Sequence, residues 1–320
     1  LGGALALRQT LPADVIATSR VEVARNRVDL AELYGVQARY DEAAGLLREA
    51  MSALGADGRE ERLQLADAAA ELGGVLRRQG RFEAAEPLYR QALEIRREVL
   101  GDDDPAVADS YNSQAILAYY RGDWPRVERL FSRALEIRER VLGPDHPDVA
   151  QTLNNLGLLH QAQDAYARAV PLYTRAAAIW EKALGPDHAR LALVLNNLGL
   201  AYQEQGDLES AAPLFERALA IREAALGPDN PDVAQTLYNL ANLQRDRGDL
   251  AAARPLYRRA LAIREASLGP DHADVGWTIT ARAGLDAAAG DLEQAIAGMA
   301  RGLAILEAAL GDDFPELAEE

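Results

Sequence analysis

Gly101, Gly143, Gly185, Gly227, Gly269 and Gly311 recur at an interval of 42 residues, and no other feature constrains the fold of this chain as much. The stretches between them repeat one another. AQTLNNLGLLHQAQDAYARAVPLYTRAAAIWEKALG opens at Ala150, ALVLNNLGLAYQEQGDLESAAPLFERALAIREAALG at Ala192 and AQTLYNLANLQRDRGDLAAARPLYRRALAIREASLG at Ala234. Self-similarity at a fixed period of this size marks units that cannot bury a face alone and so stack on their neighbours.

Each period holds two helices. Gly143, Gly185, Gly227 and Gly269 each open the sequence Gly-Pro-Asp. Glycine after a run of helix formers stops a helix, and the proline behind it prevents continuation. Pro105, Pro147 and Pro231 then fall at the first position of the next helix, where a missing N–H costs nothing, with Asp104 and Asn230 as N-caps. A second series (Gly80, Gly122, Gly206, Gly248 and Gly290, with Asp164 in the equivalent place) predicts a tight turn inside each unit. The turn separates a first helix of about 14 residues from a second of about 18, the latter roughly 27 Å long.

This predicts an all-α fold of about seven helix-turn-helix pairs as one array over residues 1–320. The pairs begin near Ala24, Ala66, Ala108, Ala150, Ala192, Ala234 and Gly276, and residues 1–23 supply a half repeat and its loop. The first pair ends early, at Leu54, with GADGREERLQ as a looser connection. The opening residues read as a fragment of a longer polypeptide. Leu195, Leu198, Gly199, Leu208, Ala211, Phe215 and Ala218 trace the packing face of one pair by their spacings of three and four. Gly157, Gly199 and Ala241 are always small, as a close helix approach requires. Pro87, Pro171, Pro213 and Pro255 fall near the sixth residue of the second helices and predict a late start or a bend there.

Composition and charge narrow the function. The chain lacks cysteine, which removes disulfides and thiolate chemistry, and its net charge of -16 opposes nucleic acid and anionic membranes as partners. Between Asp271 and Glu320, 11 acidic residues face only Arg282 and Arg301, so a basic partner at that end and a solvated terminus are both compatible. No run of about 18 apolar residues occurs. His146, His188 and His272 share one loop position, roughly 10 Å apart in stacked units, beyond the reach of metal–nitrogen bonds of about 2 Å. They read as loop residues near helix N-termini. Spacing suggests no catalytic set, no metal site and no phosphate loop, so neither an enzyme nor a cofactor is expected.

Leu-x2-Leu-Gly/Ala, a glycine seven residues on, then Ala-x3-Tyr/Phe-x2-Ala, resembles the tetratricopeptide repeat. The eight extra residues per unit, the Asn-Asn pairs and the GPDHPDVA linker resemble its long, kinesin-light-chain-like variant. The resemblance implies a right-handed α-solenoid, a superhelix whose first helices line a concave groove. It also implies a cytoplasmic scaffold that binds a protein or peptide there without catalysis. Alternatively, the array regulates or senses for a further domain of the same polypeptide. By this resemblance Asn155, Asn197 and Asn239 hold a ligand main chain, with Asn154 and Asn196 preceding two of them; hydrogen bonds between repeats are the other reading of the same amides. Ser113 and Ala281 replace the asparagine in flanking repeats. Gln151 and Gln235 stand where some relatives place basic groove residues, and Leu193 and Trp277 fill that site elsewhere. Trp277 is either a partner anchor or packs on the preceding repeat. Arg282 and Asp286 stand in the last pair where packing residues stood before, which predicts a terminal repeat facing solvent or another domain.

Overall fold

A Gly, Asp or Ala at each inner turn and a glycine at each outer one cut the chain into helices of repeating length. The structure, a computed structural model, describes residues 13–55 and 58–311. In chain order the helices are α1 (Ala13–Val36), α2 (Tyr40–Ala53), α3 (Arg59–Arg78), α4 (Phe82–Leu100), α5 (Pro105–Tyr120), α6 (Trp124–Leu142) and α7 (Pro147–Gln161). They continue as α8 (Tyr166–Leu184), α9 (Ala189–Glu204), α10 (Leu208–Leu226), α11 (Pro231–Asp246), α12 (Leu250–Leu268), α13 (Ala273–Ala288) and α14 (Leu292–Leu310). The chain forms two compact units, residues 1–159 and 160–320. Within each, a helix packs on both its chain neighbours, and the first helices of successive pairs also touch.

The turns explain the period. Gly80 and Gly206 take φ of +72° and +80°, a left-handed conformation that costs glycine little. Asp164 and Ala38, at the same phase, adopt +54° and +57°, so the turn geometry survives without glycine. The helix entrances are capped by one repeated bond. Asp104 accepts from the Ala106 N–H, and Asn230 from that of Asp232. At the equivalent position the Nδ1 atoms of His188 and His272 accept from Arg190 and Asp274, both at 3.1 Å, and His146 does so from Asp148 at 3.2 Å. The recurring histidines are therefore N-caps.

Some boundaries differ from expectation. Residues 13–23, expected as loop, belong to α1; after Pro12 the stretch contains no glycine or proline to interrupt a helix. The half repeat expected at residues 1–11 lies outside the described residues. α3 starts at Arg59, inside the expected GADGREERLQ connection, where Glu60 and Glu61 favour a first turn. α2 does end at Ala53, with Leu54 as its C-cap. Helices α5 and α6 are 16 and 19 residues long, somewhat more than expected. The second helices do not start late: α4, α8, α10 and α12 run through Pro87, Pro171, Pro213 and Pro255. All four prolines are exposed, so water can bond the carbonyl each leaves free.

Packing follows the small residues. A Cβ at Gly199 would lie 2.9 Å from the Phe215 ring, and one at Gly73 equally close to Tyr89. Leu195, Leu198, Ala211, Phe215 and Ala218 are buried. Trp180 is fully buried and His160 is buried; Trp124, expected in the core, is half-buried with its ring edge-on to Tyr119 at 5.3 Å.

A buried arginine joins successive pairs. Arg138 of α6 donates to the Asp148 carbonyl at 3.0 Å and to Thr152 Oγ1 at 2.6 Å, at the start of α7, and its other nitrogen reaches Asp109 at 2.6 Å. Arg222 bonds Asp232 O and Thr236 in the same way, and Arg264 bonds Asp274 O and Thr278. Arg96 repeats this on Ala106 O, Ser110 and Asp67. Burial pushes the Arg222 and Arg264 guanidiniums below their ordinary pKa. Each donates to a first-turn carbonyl, which also accepts the Ser or Thr hydroxyl four residues on, and to that hydroxyl itself, so the ion is desolvated but hydrogen-bonded.

Candidate functional site on the first helices

Two of the asparagines predicted to form a ladder, Asn155 and Asn239, each bond an asparagine of the preceding first helix. Asn155 Nδ2 donates to Asn112 Oδ1 at 3.0 Å, and Asn155 Oδ1 accepts from Gln151 Nε2 at 3.2 Å. In the second unit Asn239 donates to Asn196 at 3.0 Å and accepts from Gln235 at 3.2 Å. Gln235 Oε1 in turn accepts from Arg264 at 2.6 Å, with the guanidinium 4.9 Å from the Tyr238 ring centre. Asn154, Asn196, Asn197 and Asn239 are buried, whereas Asn155, Gln151 and Gln235 are half-buried. The first asparagine of one pair thus accepts from the second asparagine of the next. Asn112, which completes the rung in the first unit, was not singled out above, though it shares the phase of Asn154 and Asn196.

Asn155 also borders a pocket of about 240 Å³ in the first unit, walled by Ile116, Tyr119, Tyr120, Phe131 and Leu158. Aromatic residues assemble it: Tyr120 stacks on Phe82 with centroids 5.7 Å apart, and Tyr119 meets Tyr120 edge-on at 6.2 Å. The Arg77 guanidinium lies 5.4 Å from the Tyr120 ring centre. Tyr120 is nonetheless 56% exposed, so an apolar rim with one amide faces solvent. Burial raises the Tyr119 hydroxyl pKa above its ordinary value. In the second unit Trp277 is 42% exposed and Leu193 39%, so each keeps part of its apolar side chain in solvent.

Among the described residues no group of three His, Asp or Glu side chains could hold a metal ion, and no helix is long and apolar enough to cross a membrane. The repeat fold is typically a non-catalytic scaffold.

Comparison with known proteins agrees with this architecture. The tetratricopeptide repeat family profile matches residues 64–130, 115–181, 151–224, 213–266 and 232–308. No curated protein gives a significant match. Among solved structures, BtubC (BKLC) from P. vanneervenii is 28% identical with a TM-score of 0.60, over 77% of this chain and 92% of that one. A putative kinesin light chain with nearly identical TPR-like repeats from Podosopora anserina is 24% identical with a TM-score of 0.54, over 62% and 95%. A STAND protein with a tetratricopeptide repeat sensor, PH0952 from Pyrococcus horikoshii, is 16% identical with a TM-score of 0.68, over 89% of this chain but only 42% of its own length. The chain belongs to the tetratricopeptide repeat family, whose stacked helix pairs serve protein–protein contacts.

Proposed function

We propose that the first-helix face of this protein binds an extended peptide or an unfolded segment of a partner protein, and that the pocket at Tyr119, Tyr120 and Asn155 takes one of its apolar side chains. The observation that carries this reading is the half-open aromatic pocket with a single amide at its edge. Apolar walls supply affinity on desolvation, and the amide offers both donor and acceptor to a main chain. The buried asparagines further along maintain the first-helix register, and Asn155 is the ladder member with surface to spare. Trp277 and Leu193 are offered as further contacts in the second unit. The 42-residue period supports assigning the units to the long, kinesin-light-chain-like variant.

The test is selection of a random dodecapeptide library on the immobilised protein. Enriched peptides should share an apolar or aromatic residue, and Tyr120→Arg should weaken their binding at least tenfold with the helical circular dichroism unchanged. Equal affinity for the variant, or no enrichment, would refute the reading.

A second reading makes the array a sensor attached to an effector. Its support is the likeness to part of a much longer signal-transduction ATPase that carries a tetratricopeptide repeat sensor. An open reading frame with no further domain beside the array would rule it out.

A further inference from the structure

The last pair lines a cleft where it departs from the packing of the pair before it. In the pair α11–α12, Leu240 is buried and Leu256 packs against the same clusters. One period later those positions hold Arg282 and Gly298. The loss of two leucines leaves a cleft of about 460 Å³ between α12, α13 and α14, floored by Ile279 and Gly298. This size falls in the range of small-ligand sites, roughly 300–1,000 Å³.

Four arginines converge on the cleft: Arg254 and Arg258 from α12, Arg282 from α13 and Arg301 from α14. Arg254 and Arg258 stand where the preceding pair has Ala212 and Glu216, so the repeat itself does not demand cations there. Two of the four are held by carboxylates. Arg254 pairs with Asp286 at 3.1 Å and Asp291 at 3.4 Å, and Arg301 pairs with Glu265 at 2.8 Å. Arg258 and Arg282 carry no ion pair or hydrogen bond to any described residue. Three carboxylates, Asp286 (itself in the lining), Asp291 and Glu265, stand against the four arginines, so the cleft keeps a net positive charge in a chain of net charge -16.

We propose that this cleft is a binding site for a small polyanion, a molecule carrying two or more phosphate or carboxylate groups. The planar guanidinium fork pairs with either oxyanion in bidentate fashion, and arginine exceeds lysine in that role. Arg258 and Arg282 each present a guanidinium fork that a separate oxyanion group of the ligand can engage. Asp286 and Asp291 hold Arg254 toward the cleft, and Glu265 does the same for Arg301. The site is separate from the aromatic pocket on the first helices, which lies in the other unit, and does not depend on it.

The experiment is isothermal titration of the full chain at low ionic strength with pyrophosphate and, separately, with citrate. Saturable binding with one site per chain is expected for at least one of them, and the tighter of the two tells phosphate from carboxylate as the preferred chemistry. Arg282→Leu, which restores the residue found in earlier pairs, and Arg258→Glu, at an exposed position, should each weaken that binding at least tenfold. Absence of saturable binding to both probes overturns the proposal. So does undiminished binding by Arg258→Glu, whether or not the Arg282→Leu protein folds.

Discussion

At the scale of single residues, the backbone conformation of the inner turn outranks the side chain that occupies it. Ala38 holds φ of +57° where other units have glycine, and unlike Asp164, whose carboxylate accepts from Tyr166 at 3.0 Å, an alanine side chain makes no bond in return. A left-handed residue with a Cβ costs about 1–2 kcal/mol, partly offset by the greater entropy a glycine loses on folding. Ala38→Gly should therefore raise stability by about 0.5–1 kcal/mol, read as an upward shift in the urea midpoint with an unchanged slope; a downward shift would show that the turn is not strained. The reverse logic applies at Gly199, where the ring of Phe215 already occupies the space a side chain would need. Both features are visible in the sequence as a fixed phase: glycine at most positive-φ turns, with Ala38 and Asp164 as the exceptions, and glycine or alanine where a ring lies overhead.

At the scale of the helix pair, the arginine joint shows where reading the sequence stops. Arg96, Arg138, Arg222 and Arg264 share the 42-residue phase as plainly as the glycines do. Polarity alone assigns them to solvent, because nothing in a linear pattern shows that a long side chain ends on the first-turn carbonyl of the next helix. The asparagine ladder was legible for the same reason of phase, but its partners were not: an amide can face a ligand or another amide, and only the inter-repeat distance decides. At the arginine phase Trp180 and Leu306 replace the cation and are fully buried, so the joint tolerates an apolar filler of similar bulk. Hence Arg264→Ala should cost about 2 kcal/mol, by loss of charge-assisted bonds and of the packed stem. Arg264→Leu, which swaps a buried ion for apolar bulk, should cost clearly less. Urea denaturation of the two variants checks the order, and an equal loss in both would mean that the hydrogen bonds, not the volume, hold the joint.

At the scale of the whole molecule, the pairs are interchangeable parts with distinct attachments. Removing residues 231–272 joins Asn230 to Ala273, keeps a capping residue before the helix, and brings Asp274 and Thr278 to where Asp232 and Thr236 met Arg222. The shortened protein should fold with the same helical signal per residue in circular dichroism; a loss of that signal would show that pairs are tuned to particular neighbours. It should also lose the polyanion site, since Ala212 and Glu216 would replace Arg254 and Arg258 beside the last pair. The arginine joint has a further consequence for the gene. Because the acceptors are a main-chain carbonyl and a hydroxyl that recur at Ser110, Thr152, Thr236 and Thr278, an unequal crossover between units that keep the arginine and the hydroxyl delivers a matched interface at its first occurrence. Units that share the joint can thus be gained or lost without breaking it, whereas a pair that has left the common pattern, such as the last, cannot be exchanged so freely.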